Sequence, residues 1–373
     1  MEDHSKIERR EKEQHAYKNY SVRYQESVIE RSKIKLRPKE GQEFINLRWE
    51  ANCGSDVLTM SHLRDTYIAT GHSAFDINIW DICDDEKIVH VRRIKTGRES
   101  YNNIQPLGDD RIVCCCFFND TNPITIYNWC TGELICHTNV DDNVWPGGIT
   151  ALDANHFLVA GNRKIAIYNA ATSPLQFYWT LGRGQFFYKA VEALSSNALV
   201  ALTNHRLTFW NVNEKQLLKV IKLEEGVDNF YCMAQMNGVL VCGTFRGCLV
   251  FYDLKDLSII HSSKVHDDAI NQIIVITGDA LVTASNDGSV KIWSTLHLAN
   301  GPYCLRVLKK GVGAVYNLIL VQDKYLLSCG STHFFNVTCF EITKDVFVNK
   351  KCLKSALFSS IHELSDVLIK AVR

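Results

Sequence analysis

Short apolar runs, separated by turn-forming residues, recur along most of the chain and alternate toward β-branched and aromatic side chains. One pattern repeats: three strand-forming residues, an aromatic residue, and then Asp, Asn, Ser or Glu. Its copies are INIWD, ITIYN, IAIYN, LTFWN, LVFYD, VKIWS and VTCFE, with the aromatic residue at positions 80, 127, 168, 210, 252, 293 and 340. Successive copies are therefore 41 to 47 residues apart. Such a period, with four short strands in each unit, is the signature of a β-propeller.

Each unit also predicts three further strands around the aromatic strand. An apolar run that ends in small residues precedes it, as in ALVTA (280–284), and another run lies before that, as in AINQIIVI (269–276). A more polar strand follows, as in KQLLKVIKL (215–223). In chain order we call the four strands of a unit a, b, c and d, and the aromatic residue lies on strand c. Strands a, b and c are apolar on both faces because neighbouring blades cover them, whereas strand d is half-exposed. The sequence therefore predicts an all-β protein, a single propeller with seven blades.

The unit that runs from His266 to Trp293 resembles the repeat of the WD40-repeat family, and the resemblance covers about residues 56 to 342. In that family a His precedes strand a, a Ser or Thr lies on strand b, an Asp lies in the b–c turn, and a Trp lies on strand c. His266, Ser285, Asp287 and Trp293 match these positions. The resemblance implies a polar network in which the buried Asp accepts hydrogen bonds from a turn amide and from the His, which offsets the cost of its burial.

The other six units lack the Asp of this pattern. The residues six positions before their aromatic residues are Ala74, Thr121, Asn162, Asn204, Arg246 and Phe334. We therefore expect the polar network in the sixth unit alone. The propeller prediction does not depend on the network, because it rests on the period and on the strand pattern.

The two ends of the chain differ from the repeats. Residues 1–42 are predicted to be a charged arm, helical or disordered, since the first forty residues hold 11 Lys/Arg and 8 Asp/Glu. The propeller is expected to span residues 43–354, with EFINLRWE (43–50) as a strand that closes the ring by completing the last blade. Residues 355–373 read either as extra strands, which would allow eight blades, or as a short helix.

Composition narrows the cellular setting and the class of function. The chain opens with the charged sequence MEDHSKIERREKEQH rather than an apolar leader, and basic and acidic residues balance at 41 each. The 14 cysteines include no C-x-x-C pair and mostly lie within apolar runs, which favours a reducing compartment. We therefore expect an intracellular protein, cytoplasmic or nuclear, with no membrane partner.

A search for chemistry finds no catalytic motif. The chain contains no P-loop, G-x-G-x-x-G, G-x-S-x-G or H-E-x-x-H sequence. The cluster His266-Asp267-Asp268 has the composition of a metal site, but its place in the repeat explains it as a connection between blades. The sequence therefore predicts a protein that is not an enzyme, with no catalytic residue, no cofactor and no metal.

Binding is the class of function that the sequence favours. In WD40 propellers the d–a connections and b–c turns surround one mouth of the central channel, and here they are rich in basic and aromatic residues, which are typical of interaction hot spots. The predicted partner-binding residues are Arg98, Tyr101, Trp145, Arg163, Arg183, Phe187, Arg206, Tyr231, Arg246 and Tyr316. The alternative is that each aromatic residue begins an inward-facing strand and each Arg extends from a turn into water.

Three functions fit this surface. The first is a non-enzymatic scaffold that binds partner proteins within a multiprotein complex. The second is a substrate receptor of a cullin-type ubiquitin ligase, since the charged segment that ends in Asn46-Leu47-Arg48-Trp49 is loosely similar to the linker of F-box/WD40 proteins. Residues 1–50 show no F-box-like helix, however. The third is an RNA-associated or other nucleic-acid-associated subunit, which zero net charge makes the least favoured.

Overall fold

The computed structural model describes residues 34–36, 44–74, 76–82, 88–96, 101–116, 123–139, 144–161, 164–171, 175–181, 188–194, 198–203, 205–212, 214–222, 228–310, 313–331, 336–343 and 347–349. Within them, seven antiparallel four-stranded sheets form the blades of a propeller. Strand a of each blade contacts strand a of the next, and blade 7 contacts blade 1 in the same way. The innermost strands therefore form a closed ring.

The strands of each blade are given in the order a, b, c, d. Blades 1 and 2 consist of Val57–Arg64, Tyr67–His72, Asp76–Asp81 and Val89–Lys95, and of Tyr101–Leu107, Arg111–Cys116, Pro123–Asn128 and Leu134–Asn139. Blades 3 and 4 consist of Val144–Ala151, His156–Gly161, Ile165–Asn169 and Gln176–Leu181, and of Tyr188–Ala193, Ala198–Thr203, Arg206–Asn211 and Gln216–Lys222. Blades 5 and 6 consist of Phe230–Met236, Val239–Thr244, Cys248–Asp253 and Ile259–Lys264, and of Ile270–Thr277, Ala280–Ser285, Ser289–Ser294 and Tyr303–Lys310, with a 3-10 helix at Leu298–Asn300. Blade 7 consists of Val315–Val321, Tyr325–Gly330, Val337–Ile342 and the N-terminal strand Ile45–Ala51.

The core of the molecule lies between the blades. The described residues form seven clusters of buried apolar side chains, one at each junction between neighbouring blades. At the junction of blades 6 and 7, for example, Val282 and Ile292 pack with Leu318 and Phe340. Burying one such side chain stabilises the fold by about 1.5–3 kcal/mol. This explains why strands a, b and c are apolar on both faces.

The N-terminal strand closes the ring. Ile45–Ala51 pairs antiparallel with Val337–Ile342, so strand d of blade 7 comes from the other end of the chain. Asn336 holds the C-terminal end of this strand. Its backbone N–H donates to the Ala51 carbonyl at 3.1 Å, and its Oδ1 accepts from the Cys53 N–H at 2.7 Å. Its side-chain amide also donates to the Ser55 carbonyl. Asn336 therefore ties the closing strand to the body of the blade.

The ring closes with seven blades, so the eight-bladed alternative is wrong. The arm also differs from the prediction, because Ile34–Leu36 is a strand and pairs with Phe347–Asn349 in a separate two-stranded sheet. Within the described residues, strand c of blade 7 ends at Ile342, and the Thr343 N–H donates to the Phe44 carbonyl at 2.9 Å. Residues 1–33 and the C-terminal segment 355–373 lie outside the described residues.

Candidate protein-interaction surface

A β-bulge lies near the start of the innermost strand in every blade. We call the face that carries the b–c turns and d–a connections the upper face. At this face the register between strands a and b shifts. In six blades one residue of strand a is left out of the register, and in blade 3 the shift spans Val144 to Ile149. The skipped residues are Leu58, Asn102, Lys189, Tyr231, Asn271 and Tyr316. A bulge redirects the local course of a strand. We call the region around these bulges, at the upper ends of the innermost strands, the mouth of the channel.

The mouth residues of blades 4 to 7 are half-buried and contact one another or nearby groups. Lys189 Nζ lies 5.3 Å from the centroid of the Tyr231 ring. Asn271 donates through Nδ2 to the Val315 carbonyl at 2.7 Å, and the Tyr316 hydroxyl donates to Ser331 Oγ at 3.2 Å. Burial raises the pKa of Tyr231, with a smaller contribution from Tyr316, and burial lowers the pKa of Lys189. The mouth thus places an ammonium group and two phenols in a partly desolvated position.

The b–c turn of blade 5 presents Phe245 and Arg246 beside this mouth. Phe245 is 52% exposed, the Arg246 side chain is 79% exposed, and the Phe245 ring centroid lies 6.4 Å from that of Tyr231. The Phe245 N–H donates to the Asn229 carbonyl at 2.8 Å, and the Arg246 N–H donates to the Asp228 carboxylate. Arg246 Nε lies 3.8 Å from the same carboxylate. An exposed aromatic residue and an exposed Arg are therefore held on a fixed backbone.

Gly247 completes this turn and joins it to the next blade. Its φ is +86°, and its carbonyl accepts from the Val265 and His266 N–H groups at 2.9 and 3.0 Å. The turn that carries Phe245 is thus fastened to the connection that leads into blade 6. The conformation of that connection in turn depends on the polar network of blade 6.

The blade 6 network contains all four residues that the resemblance indicated, and Thr283 joins His266 to Trp293 within it. His266 Nδ1 lies 2.8 Å from Asp287 Oδ2, and its Nε2 lies 2.6 Å from Thr283 Oγ1. Trp293 donates through Nε1 to the same Thr283 hydroxyl at 2.9 Å. The hydroxyl that joins His to Trp is therefore Thr283 and not Ser285. Ser285 lies at the end of strand b, where it donates to the Asp268 carbonyl and accepts from the Asp287 N–H, each at 3.1 Å.

The electrostatics of the network favour a charged carboxylate and a neutral imidazole. Burial alone would raise the pKa of Asp287, but hydrogen bonds from Ser289 and from the Asp267 N–H outweigh it, so the pKa is lowered. Burial lowers the pKa of His266, and the nearby Asp287 only partly opposes this effect. The network thus stabilises the protein most at neutral pH.

Replacing Asp287 by Ala is expected to lower the free energy of unfolding by about 1–3 kcal/mol, because the N–H groups of Asp267 and Ser289 lose their acceptor. Since the pKa of Asp287 is lowered in the folded state, the gap between wild type and D287A should narrow as pH falls below about 4. Urea unfolding at pH 7 and pH 3.5 measures both effects. An unchanged stability at pH 7 would show that the carboxylate does not hold the turn.

Blade 1 contains a partial copy of the network, so the expectation that the sixth unit alone would have one was wrong. Trp80 Nε1 donates to Thr70 Oγ1 at 2.7 Å, and His72 Nε2 lies 2.7 Å from the same hydroxyl. Here the His comes from the end of strand b, not from the d–a connection. The Asp76 carboxylate instead accepts from Arg93 Nε at 2.9 Å. A search for His ahead of strand a therefore misses this network.

Blade 7 retains the hydroxyl of the network but not its donor. Ser328 occupies the strand-b position of Thr70 and Thr283, whereas Phe340 replaces the Trp. The Ser328 hydroxyl is buried and has no hydrogen-bond partner among the described residues. Replacing Phe340 by Trp should supply the missing N–H and raise the free energy of unfolding by about 1 kcal/mol. A double-mutant cycle checks the cause: in S328A the same replacement should bring no gain, and an equal gain there would contradict the hydrogen bond.

The structure places the predicted partner-binding residues unevenly. Tyr231, Arg246 and Tyr316 lie at the mouth or beside it, and Arg206 is half-buried at the upper end of strand c in blade 4. Tyr101 was wrongly predicted: it is 1% exposed, packs between blades 1 and 2, and donates to Thr125 Oγ1 at 2.9 Å. Trp145 lies in strand a of blade 3, where the side chain is not described. Four predicted residues lie outside the described residues: Arg98, Arg163, Arg183 and Phe187.

Sequence reasoning missed Phe245 and four of the six bulge positions, and of these Lys189 and Phe245 matter most for the site. Both were detectable in principle. Lys189 immediately follows the apolar start of strand a, as Tyr231 and Tyr316 do in blades 5 and 7. Phe245 precedes Arg246 in a turn, and turns generally favour polar residues.

The described residues offer little for chemistry. They contain no group of three or more His, Cys, Asp or Glu side chains arranged to hold a metal ion. No described helix is long and apolar enough to cross a membrane. The His266–Asp287 pair bonds the surrounding turns, as the His156–Asp153 pair does in blade 3.

No family model matches the sequence. Among solved structures, the chain is similar to the β-propeller domain of Cps50 (Swd1) from Myceliophteria thermophila, with a TM-score of 0.66 and 13% sequence identity. The match covers 80% of this chain and 100% of that domain. At this identity the similarity concerns the fold. The protein is an all-β, seven-bladed propeller.

Proposed function

We propose that this protein is a non-enzymatic scaffold that binds a partner protein on its upper face, at the mouth of the channel, as a subunit of a multiprotein complex. The observation that carries the proposal is the turn of Phe245 and Arg246, which is exposed, rigidly bonded and adjacent to Tyr231. A solvent-exposed Phe on such a fixed turn has no evident role in folding.

The energetics of association support this surface. Burying the exposed part of a Phe side chain contributes up to about 1.5–3 kcal/mol, and Arg and Tyr are the residues on which interfaces most depend. A backbone that is already fixed loses little conformational entropy on binding. Phe245, Arg246 and Tyr231 together therefore have the composition and the rigidity of a hot spot.

The proposal is tested by quantitative affinity purification of the full chain from cells. Replacing Phe245 and Arg246 by Ser should remove the direct partner without lowering the melting temperature. The matched control is L134S, since Leu134 is 57% exposed on the outer strand of blade 2. If the F245S/R246S variant retains the same partners as wild type, the upper face of blade 5 is not the binding site.

The same purification separates the three functions that the sequence allows. A cullin and its adaptor among the lost proteins would identify a ubiquitin-ligase receptor. Loss of binding after nuclease treatment would indicate a nucleic-acid-associated subunit. A set of proteins that resists nuclease and lacks a cullin is the result that we expect for the general scaffold.

A further inference from the structure

In blade 5, one carboxylate joins the b–c turn to the d–a connection. Asp228, in that connection, accepts the Asn229 N–H through Oδ1 at 2.8 Å, and its Oδ2 accepts the Arg246 N–H from the turn. The Asn229 carbonyl in turn accepts the Phe245 N–H at 2.8 Å. The backbone of both exposed turn residues is therefore bonded to the connection.

Blade 6 repeats these bonds at its own turn, except for the one to the turn carboxylate. The Asn286 N–H donates to the Ala269 carbonyl at 2.9 Å, and the Ala269 N–H donates to Asp268 Oδ1 at 2.7 Å. Counted from these bonds, Asp268 is the equivalent of Asp228. Asp268 is exposed, whereas Asp228 is half-buried.

The two blades differ in the side that supplies the carboxylate. In blade 6 it comes from the turn, where Asp287 Oδ2 accepts the Asp267 N–H of the connection at 3.1 Å. In blade 5 the equivalent turn residue is Arg246, and the carboxylate comes from Asp228 of the connection. The same two segments are thus joined by a carboxylate in both blades, but from opposite sides.

This exchange changes what the turn presents to solvent. The Asp287 side chain is 10% exposed because it bonds inward, whereas the Arg246 side chain is 79% exposed. In blade 5 the backbone N–H at this position is held by Asp228, so the turn stays fixed while its own side chain extends outward. Arg246 Nε lies 3.8 Å from the Asp228 carboxylate, and such an exposed ion pair contributes little. The bond to the backbone N–H is therefore the main contact.

We propose that Asp228 is a positioning residue of the partner-binding surface. Its carboxylate holds the blade 5 turn in the conformation that presents Phe245 and Arg246 to the partner. A turn that is already ordered loses less conformational entropy on binding. The inference rests on the proposed function, because it takes Phe245 and Arg246 as the binding surface, and it adds a residue on which binding depends without contact to the partner.

Three variants of the full chain test this role. D228A removes the acceptor of the Arg246 N–H. D228N keeps an oxygen for that N–H, but it removes the charge and has no second oxygen for the Asn229 N–H. The matched control is D268A, which removes the equivalent bond to the Ala269 N–H in blade 6 and leaves the blade 5 turn in place. All three changes lie at the upper face and not in the core between blades, so the proteins should remain folded.

Hydrogen exchange followed by mass spectrometry reports on the turn without any partner. In D228A the amides of residues 244–247 should exchange about tenfold faster than in wild type, since a hydrogen bond to a charged group is lost. In D228N and D268A the same amides should exchange at rates close to wild type. An unchanged exchange rate in D228A would overturn the inference.

Quantitative affinity purification from cells then measures binding, with the partner defined as the protein that F245S/R246S loses. D228A should capture about tenfold less of this protein, whereas D228N and D268A should capture nearly as much as wild type. Rescue by Asn separates positioning through the N–H from a contact made by the charge of Asp228. Full capture by D228A, or equal losses in D228A and D228N, would contradict the positioning role.

The outcomes also distinguish this inference from the proposed function. If F245S/R246S loses the partner and D228A does not, the upper face binds a partner and Asp228 does not position it. If F245S/R246S retains every partner, the proposed function is wrong, and the inference is wrong with it.

Discussion

Removal of residues 1–52 is expected to abolish the folded monomer. The deletion takes away strand d of blade 7, including Ile45, and also Phe44, both of which are buried in the core between blades 6 and 7. It leaves Val337–Ile342 as an apolar edge strand that has lost its partner on one side. It also opens the ring at the one blade whose strands come from both ends of the described chain. Such edges promote aggregation. Size-exclusion chromatography and circular dichroism should show aggregated or insoluble protein.

A shorter deletion provides the control. Removal of residues 1–33 leaves both Ile34–Leu36 and the closing strand in place. That protein should remain a folded monomer with a melting temperature near that of wild type. A well-folded monomer from the longer deletion would show that the ring does not need its closing strand.

Replacement of Gly247 by Ala is expected to lower the free energy of unfolding by about 2–4 kcal/mol. Two effects add. The φ of +86° is unfavourable for a residue with a Cβ, and that Cβ would overlap the His266 carbonyl oxygen and lie 2.8 Å from the Asp268 carbonyl oxygen. Both obstacles belong to the backbone, which cannot move aside without displacing the connection into blade 6. Chemical denaturation measures the loss.

The matched control for this prediction is G238A. Gly238 has a similar φ of +76°, but a Cβ at this position meets nothing within 4 Å. The control should therefore show only the conformational strain, about 1 kcal/mol. G247A should also weaken partner capture, because the displaced turn carries Phe245 and Arg246. Equal losses of stability in the two variants would mean that the blade 5 turn is not fastened to blade 6.

The fold was largely predictable because the same pattern of apolar and polar positions recurs in seven units of the sequence. A weak copy of this pattern in one unit is therefore supported by the clear copies in the others. Seven aromatic strand-c residues predicted seven blades, and the structure has seven. The blade count was open only at the ends of the chain, where the repeat gives no information and where long-range pairing of Ile45–Ala51 decides the outcome.

The surface was harder to predict because a shift of one residue decides which side chains reach it. Tyr101 and Tyr188 stand at the first position of strand a and are fully buried between blades. Lys189 and Tyr231 stand one residue later, at the bulge, and reach the mouth. Alternation alone identifies an inward-facing strand, but it does not reveal where the bulge moves the register.

The choice between Ser285 and Thr283 as the hydroxyl that joins His to Trp has a similar origin. Thr283 and Ser285 lie two residues apart on the same face of strand b, and either fits a family pattern that asks for Ser or Thr. Strand pairing sets Leu281 opposite Trp293, which leaves Thr283 within reach of the indole and places Ser285 beyond it. Such a choice depends on the register between strands.

The account's central claim is that a partner protein contacts the mouth of the channel beside the blade 5 turn. Photo-cross-linking in cells tests it most directly, with a photoreactive phenylalanine at position 245 and, in a separate protein, at position 134 on the outer strand of blade 2. The account predicts a cross-linked partner at position 245 and none at position 134. Cross-linking of that partner at position 134 but not at position 245 would contradict it.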